Sequence, residues 1–166
     1  MLICSTKETK QENKKTPDIM SDKFKNHSRQ SSSPVIISKW ETYTQTLLEK
    51  GAVSGFGVYS TSNFHKWTGT PGFCAGPEQL CRIVSGFNDE LPLRIQGIQI
   101  NDVTFTFTRL GLNRRLMVGR CTASGAGCVL YLCQTCILVA TCEPQQSSLC
   151  FTTIEKLGDF LITKNF

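Results

Sequence analysis

One stretch of the chain, residues 94–142, limits the possible folds more than any other, because short β-prone segments follow one another there without a helical repeat. The clearest segment is 103–108, in which apolar residues alternate with threonine, as in a half-buried strand. Asn101-Asp102 directly before it predicts a two-residue hairpin turn. Successive strands joined by short turns form an antiparallel sheet. The predicted strands of this stretch are 94–100, 103–108, 112–119, 129–132 and 137–142, with a bend at 133–136.

Three other segments show the periodicity of amphipathic helices. In the first, Trp40 and Tyr43 share a face with two leucines, and Gly51 is a natural C-terminal stop. The second begins at Pro77, and the third carries an apolar stripe every three to four residues. Two more strands precede the second helix. The predicted helices are 36–50, 77–87 and 151–163, and the two early strands are 52–59 and 64–68, joined by a turn at 60–63. This order predicts an α+β fold, with helices covering an antiparallel sheet.

Residues 1–34 are predicted to be a disordered basic and polar tail that precedes a folded domain at 35–166. The tail contains seven Lys/Arg and four Asp/Glu, a net charge of +3, and Met20 offers a second plausible start. The remainder of the chain contains 11 Lys/Arg and 9 Asp/Glu, a net charge of only +2, which does not indicate a nucleic-acid surface. Because no export signal or apolar span is evident, a cytoplasmic location is expected.

The chain contains nine cysteines, which we interpret as free, buried thiols because the chain is expected in a reducing compartment. Cys133-x-x-Cys136 is the one enzyme-like motif, and it leaves open a small thiol or zinc protein as an alternative of another class. A zinc site needs four ligands, and His27 and His65 are the two histidines in the sequence. No nucleotide-binding loop or hydrolase motif is present, so we expect no enzymatic activity and no cofactor.

Six motifs stand in order along the predicted domain. Two of them contain its tryptophans: Ser38-Lys39-Trp40-Glu41-Thr42-Tyr43 in the first helix and Lys66-Trp67-Thr68 in the second strand. The other four are Gly72-Phe73 followed by Pro77-Glu78, Gly97-Ile98-x-Ile100-Asn101-x-Val103, Gly125-Ala126-Gly127 and Glu155-Lys156-Leu157-Gly158-Asp159-Phe160-Leu161. Together they resemble the motifs of the profilin family, in which W-x-x-Y opens the first helix and a tryptophan lies on the second strand. The resemblance runs from residue 38 to 166. It implies a sheet of six to seven strands, with the terminal helices packed together on one face and a short helix on the other.

The resemblance implies a site for proline-rich segments built from aromatic rings of both terminal helices and a strand. Such rings suit polyproline II ligands, which expose flat ring faces and free carbonyls. From spacing alone, plain core residues are the favoured interpretation of Trp40 and Tyr43, because an aromatic stripe at helical spacing usually faces the core. The implied residues are Trp40, Tyr43, Trp67, Phe160 and Phe166.

The resemblance also implies contacts with monomeric actin and with phosphoinositide lipids, for a monomeric, cytoskeleton-associated protein. A solvated strand face is the alternative reading of both residue sets. The implied actin-binding residues are Arg94, Ile95, Thr104, Thr106, Thr108, Arg109, Arg120, Thr152 and Lys156. The implied phosphoinositide-binding residues are Arg94, Arg109, Arg114, Arg115 and Arg120, whose guanidinium groups suit phosphates.

The sequence departs from the family pattern at residues 110–124, at Asp102 and at 133–136. These changes fall mainly on the surface that profilins use for actin. An adaptor for proline-rich segments or phosphoinositides with weak actin binding, or none, therefore stays open as an alternative to an actin-binding one.

Overall fold

A computed structural model of the chain describes residue 42, residues 44–47 and residues 49–166. Residues 42, 44–47 and 49 are helical, which agrees with the predicted first helix over the part that is described. The described residues belong to a compact unit, Ser32–Phe166. Trp40, Tyr43 and the predicted tail at 1–34 lie outside the described residues, and the domain boundary at 34/35 stays a prediction.

The described residues form a single seven-stranded sheet, in which all neighbouring strands are antiparallel. Its order is β2-β1-β7-β6-β5-β4-β3, so that the first and last strands of the long alternating stretch lie far apart. The strands are β1 Gly55–Ser60, β2 Lys66–Gly69, β3 Ile98–Ile100, β4 Val103–Leu110, β5 Leu116–Arg120, β6 Gly127–Leu132 and β7 Cys136–Cys142. The hairpin at Asn101-Asp102 is confirmed, because Ile100 and Val103 are paired on either side of it.

Helices cover both faces of this sheet. They are α1 Pro77–Gly86, α2 Leu91–Gln96 and α3 Ser147–Thr163, with a 3-10 turn at Pro144–Gln146 before α3. The start of α1 is fixed by the side chain of Gln79, which accepts a hydrogen bond from the Gly76 N–H at 3.0 Å. None of the helices that the described residues form is long and apolar enough to span a bilayer.

The core is divided by the sheet into two clusters. In the first, Ile154 and Leu161 of α3 pack with Leu47 of the N-terminal helical residues against one face. In the second, Leu80 of α1 and Leu93 of α2 pack against the other face. Because side chains of a strand alternate between faces, each central strand contributes to both clusters. The α+β fold class and the placement of the terminal and short helices are thereby confirmed.

The strand predicted at 94–100 is wrong over its first part, because Leu91–Gln96 form a helix and the strand begins at Ile98. Pro92 presets a helical φ at the start, and the Asp89 side chain accepts the Leu91 N–H at 3.1 Å. Gly97, with φ of 80°, then ends the helix, since few other residues adopt that conformation. Three residues of the predicted strand are thus helical.

The strand predicted at 112–119 is also wrong at its start, because β5 begins at Leu116. Residues 111–115 form the β4–β5 connection instead. Arg114 has φ of 52°, and its guanidinium donates to the carbonyl oxygens of Phe87 and Asn88 at 3.0 and 2.8 Å. A long-range contact thus holds the backbone out of the sheet. The early strands also begin later than predicted, at Gly55 and Lys66.

Candidate functional site

Two of the predicted proline-binding rings lie against each other at the end of the sheet. Trp67 is on the edge strand β2, and Phe166 is the last residue of the chain. Their ring centroids are 6.3 Å apart, with the ring planes at 69°, an edge-to-face arrangement. The Phe166 carbonyl accepts a hydrogen bond from the Gln134 N–H at 2.7 Å, so the end of the chain is tied to the β6–β7 connection. Trp67 is still 38% exposed, which leaves an indole surface available to a ligand.

The N-terminal helical residues lie beside the same strand. The hydroxyl groups of Thr44 and Thr68 are 3.5 Å apart, and Thr68 directly follows Trp67. This contact places Thr44 of the N-terminal helical residues beside the edge strand β2. Trp40 and Tyr43 themselves lie outside the described residues, so their part in the site stays a prediction.

Phe160 lies on α3 with 41% of its surface exposed, as its position beside the apolar stripe predicts. The Lys164 ammonium lies 5.7 Å from the centre of its ring, one helical turn further along. A phenyl ring with a cation above it offers an apolar face and a donor together. We name Trp67, Phe160 and Phe166 the aromatic group.

Two of the three predicted actin-binding threonines lie along one side of β4. Phe105 and Phe107 are buried in the second cluster, so Thr104 and Thr106, which alternate with them, point to the opposite face, where both are exposed. Thr106 is paired with Arg120 of β5, which is exposed on the same face. A bulge at Thr108 follows, and that residue is exposed as well.

The first two turns of α3 border this strand face. The Arg109 guanidinium lies 4.8 Å from the centre of the Phe151 ring, and Phe151 packs against the first cluster. Thr152 and Lys156, both predicted, are exposed on the same helix. We name Thr104, Thr106, Arg109, Arg120, Phe151, Thr152 and Lys156 the strand–helix face; the side to which Thr108 at the bulge belongs stays a prediction. Phe151 was not predicted from the sequence as part of this surface. The available signal was its position three residues before Ile154, which extends the apolar stripe of the helix.

Two predicted actin-binding residues lie elsewhere. Arg94 and Ile95 belong to α2, which packs on the opposite face of the sheet. The Arg94 guanidinium lies 4.6 Å from the centre of the Phe107 ring and forms a 2.9 Å salt bridge with Glu90. Ile95 is 75% exposed. The structure therefore separates these two residues from the strand–helix face.

The five arginines proposed for phosphoinositides are likewise divided between the two faces. Arg94 contacts Phe107 on one face, whereas Arg109 contacts Phe151 on the other. Arg114 uses its guanidinium to hold the backbone at 87–88. Arg115, in the same connection, lies close enough to Tyr131 to act on its phenol electrostatically. Arg109 and Arg120 share one face, and the set as a whole is not a single basic cluster.

A buried tyrosine joins the sheet to α3. Tyr131 is 1% exposed, and its hydroxyl donates to the Asp159 carboxylate. Burial and this carboxylate raise the pKa of Tyr131 above its usual value of 10.0. Gly158 allows the approach, because a Cβ there would lie 2.3 Å from the tyrosine ring. This contact fixes α3, which contributes to both candidate surfaces.

Within the part of the chain that the structure describes, the thiol motif has no further metal-ligating side chains grouped around it. Among the described residues, no group of three or more histidine, cysteine or acidic side chains is placed to hold a metal ion. Cys133 and Cys136 are free thiols in the β6–β7 hairpin, with 5% and 0% exposure. The zinc alternative has no support in this part of the chain.

Comparison with known proteins agrees with this architecture. The sequence model of the family described as Profilin matches residues 38–166. Profilin of Saccharomyces cerevisiae is 29% identical over 123 residues, which cover 74% of this chain and 95% of that protein. The structure of Acanthamoeba castellanii profilin IA superimposes with a TM-score of 0.68 at 29% identity and covers 76% of this chain and 99% of that one.

Two more distant structures share the fold alone. Mouse profilin IIa, in complex with a double repeat from the FH1 domain of mDia1, is 13% identical with a TM-score of 0.62 over 76% of this chain and 99% of that one. LokiProfilin1, in complex with rabbit actin, is 15% identical with a TM-score of 0.56 over 74% of this chain and 96% of that one. With the family match over most of the chain, the ordered motifs and the shared sheet topology, we conclude that the chain belongs to the profilin family.

Proposed function

We propose that this protein is an actin-monomer-binding adaptor that also binds proline-rich segments and regulates actin polymerisation. The observation that carries the proposal is that the chain, a member of the profilin family, presents two separate surfaces of the appropriate chemistry. The strand–helix face offers threonines and cations, and the aromatic group offers flat rings. Relatives of the same fold were solved with actin and with an FH1 repeat.

The strand–helix face suits a protein partner. Its centre is Arg109 stacked on Phe151, which holds a guanidinium in one orientation against a half-buried ring. Arginine and aromatic anchors are enriched among residues that dominate binding energy. Thr106, Arg120 and Lys156 around it form a polar and charged rim.

Actin binding is tested by a charge reversal at the centre of this face. Arg109→Glu is expected to raise the dissociation constant for actin monomers about tenfold or more at physiological salt, which is a loss of roughly 1.4 kcal/mol of binding free energy. Arg82→Glu is the matched control, because it makes the same change in net charge at an exposed position of α1. Equal affinities for the two variants would contradict the placement of the actin site.

The aromatic group suits a polyproline II ligand, since Trp67 offers an exposed ring face and an indole N–H donor. Trp67→Ala removes this ring and the edge that Phe166 contacts. Loss of an anchor of this kind costs on the order of 2 kcal/mol, or about thirtyfold in affinity, which abolishes retention on poly-L-proline resin. Phe64→Ala is the matched control, because that half-buried ring from the same hairpin packs against the second cluster instead.

The two experiments separate the two kinds of adaptor. Retention on poly-L-proline without actin binding would favour the adaptor that has lost the actin contact.

For phosphoinositides, Arg109 and Arg120 are the pair that we propose as the headgroup contact, because they share one exposed face. Sedimentation with vesicles that contain phosphatidylinositol bisphosphate, compared between the wild type and Arg120→Ala, tests it.

A further inference from the structure

The hairpin between β6 and β7 places two cysteines directly opposite each other. Leu132 and Ile137 are the last paired residues of the two strands, and Cys133 and Cys136 are the next facing positions. The Cys133 N–H donates to the Cys136 carbonyl at 2.9 Å, so the hairpin stays closed at this position. Facing residues in antiparallel strands have Cα atoms about 4.5–5.5 Å apart, inside the range of about 4.4–6.8 Å that disulfides use.

The two side chains also point to the same side of the sheet. Cys133 and Cys136 both belong to the first core cluster, whereas their neighbours Leu132 and Ile137 face the second. Both thiols are free, and they are close enough for a side-chain hydrogen bond, which together with burial raises the pKa of Cys136. A disulfide between them would therefore need no rotation of either strand.

The same hairpin anchors the end of the chain. The Gln134 N–H donates to the Phe166 carbonyl at 2.7 Å, and the Thr135 carbonyl accepts the Thr61 N–H at 3.0 Å. Phe166 in turn contacts Trp67. A covalent bond across the hairpin would fix the backbone that holds the terminal ring in place.

We propose that Cys133 and Cys136 form a reversible disulfide under oxidising conditions, which makes this hairpin a redox-modified site that fixes the position of Phe166. The inference goes beyond the proposed adaptor function, because it concerns the chemistry of two thiols that binding of actin or proline-rich segments does not use. It assigns no catalytic activity to them.

The oxidant that we invoke is hydrogen peroxide. Cys133 is slightly more exposed as a residue than Cys136, so we assign the first step to its sulfur. The Cys133 sulfur attacks one peroxide oxygen, the O–O bond breaks, and the sulfur becomes a sulfenic acid, while the other oxygen takes up the proton that the Cys133 thiol releases and leaves as water. The Cys136 sulfur then attacks the sulfenic sulfur, the S–O bond breaks, and the proton of Cys136 leaves with the oxygen as water. Two thiols lose two electrons and two protons, and one peroxide is reduced to two waters.

The experiment is peptide mapping by mass spectrometry of the full chain after titration with hydrogen peroxide under native conditions. The expected product is a cross-link between Cys133 and Cys136, with the loss of two of the nine thiols to this bond and full recovery on reduction with dithiothreitol. In Cys133→Ser no such cross-link forms and Cys136 is recovered as a thiol. Circular dichroism of each reduced variant verifies that it folds.

A second buried thiol pair provides the matched control. Cys142 and Cys150 also contact each other, with 1% and 0% exposure, but they join β7 to α3 instead of two facing strand positions. In Cys142→Ala/Cys150→Ala the Cys133–Cys136 cross-link is expected to form at an unchanged peroxide concentration. The proposal is overturned if Cys133 and Cys136 stay reduced when the exposed Cys74 and Cys81 are fully oxidised, or if either sulfur is found bonded to a different cysteine.

Discussion

Replacing Gly158 with alanine tests how tightly α3 is fitted to the sheet. By helix propensity alone, this substitution inside a helix should stabilise the protein by about 1 kcal/mol. The structure predicts the opposite, because a Cβ at Gly158 would lie 2.3, 2.4 and 2.5 Å from three carbons of the Tyr131 ring. Carbon atoms in contact normally lie about 3.5–4.0 Å apart, so either the ring or the helix must move by about 1 Å.

The magnitude follows from the surroundings of the ring. Tyr131 is 1% exposed, lies among the residues of the first cluster and is held at its hydroxyl by Asp159. Because it has little room to turn aside, the overpacking cost falls at the upper end of the usual range of about 1–3 kcal/mol. After the propensity gain is subtracted, we expect Gly158→Ala to lower the free energy of unfolding by about 2 kcal/mol.

The assay is urea unfolding of four proteins at pH 7, namely the wild type, Gly158→Ala, Tyr131→Leu and the double variant. In the Tyr131→Leu background the planar ring is absent, so Gly158→Ala should be neutral or stabilising. The destabilising effect is thus lost or reversed in the second background, which gives a coupling energy of about 2–3 kcal/mol. If Gly158→Ala stabilises the wild-type chain, or destabilises both backgrounds equally, the close approach of Tyr131 is not what requires glycine.

Two further predictions concern the connections around the sheet. Arg114→Met keeps the aliphatic stem but removes the two donors to the Phe87 and Asn88 carbonyls, so thermal or urea unfolding should show a loss of about 1–2 kcal/mol. Arg82→Met, at an exposed position of α1, is its control and should change stability by less than about 0.5 kcal/mol; equal effects would argue against a stabilising role of the two Arg114 hydrogen bonds. The second prediction concerns stability at alkaline pH. The pKa of Tyr131 in the folded state is raised above 10.0, so above that pH the unfolded chain releases a proton that the native state retains. The free energy of unfolding therefore falls as pH rises. Tyr131→Phe should flatten this fall between pH 9 and 11 in urea titrations, and an unchanged slope would contradict it.

Most of the fold could be predicted from local patterns. The alternation at 103–108, the turn at Asn101-Asp102 and the apolar stripe of α3 are each short-range signals, and the structure confirms all three. The error at 112–119 arose where a distant contact decides the backbone, whereas the helix at 91–96 has local signals in Pro92 and Gly97. Arg114 leaves the sheet because its guanidinium reaches the end of α1, a partner that is 26–27 residues away along the chain.

In the candidate surfaces, too, local spacing predicts some features and distant packing decides the others. Sequence spacing predicted that Phe160 would be half exposed, and it placed the threonines of β4 on one face. It could not separate Arg94 from Arg109, since which face of the sheet α2 covers depends on the packing of the whole chain.

By itself, the sequence determined the type of most elements and the hairpin register at Asn101-Asp102, because each of these depends on neighbours within a few positions. Tertiary structure alone decided that Trp67 meets Phe166, that Arg109 stacks on Phe151, and that Tyr131 lies over Gly158. Those pairs join residues from distant parts of the chain, and only the order of strands in the sheet brings them together.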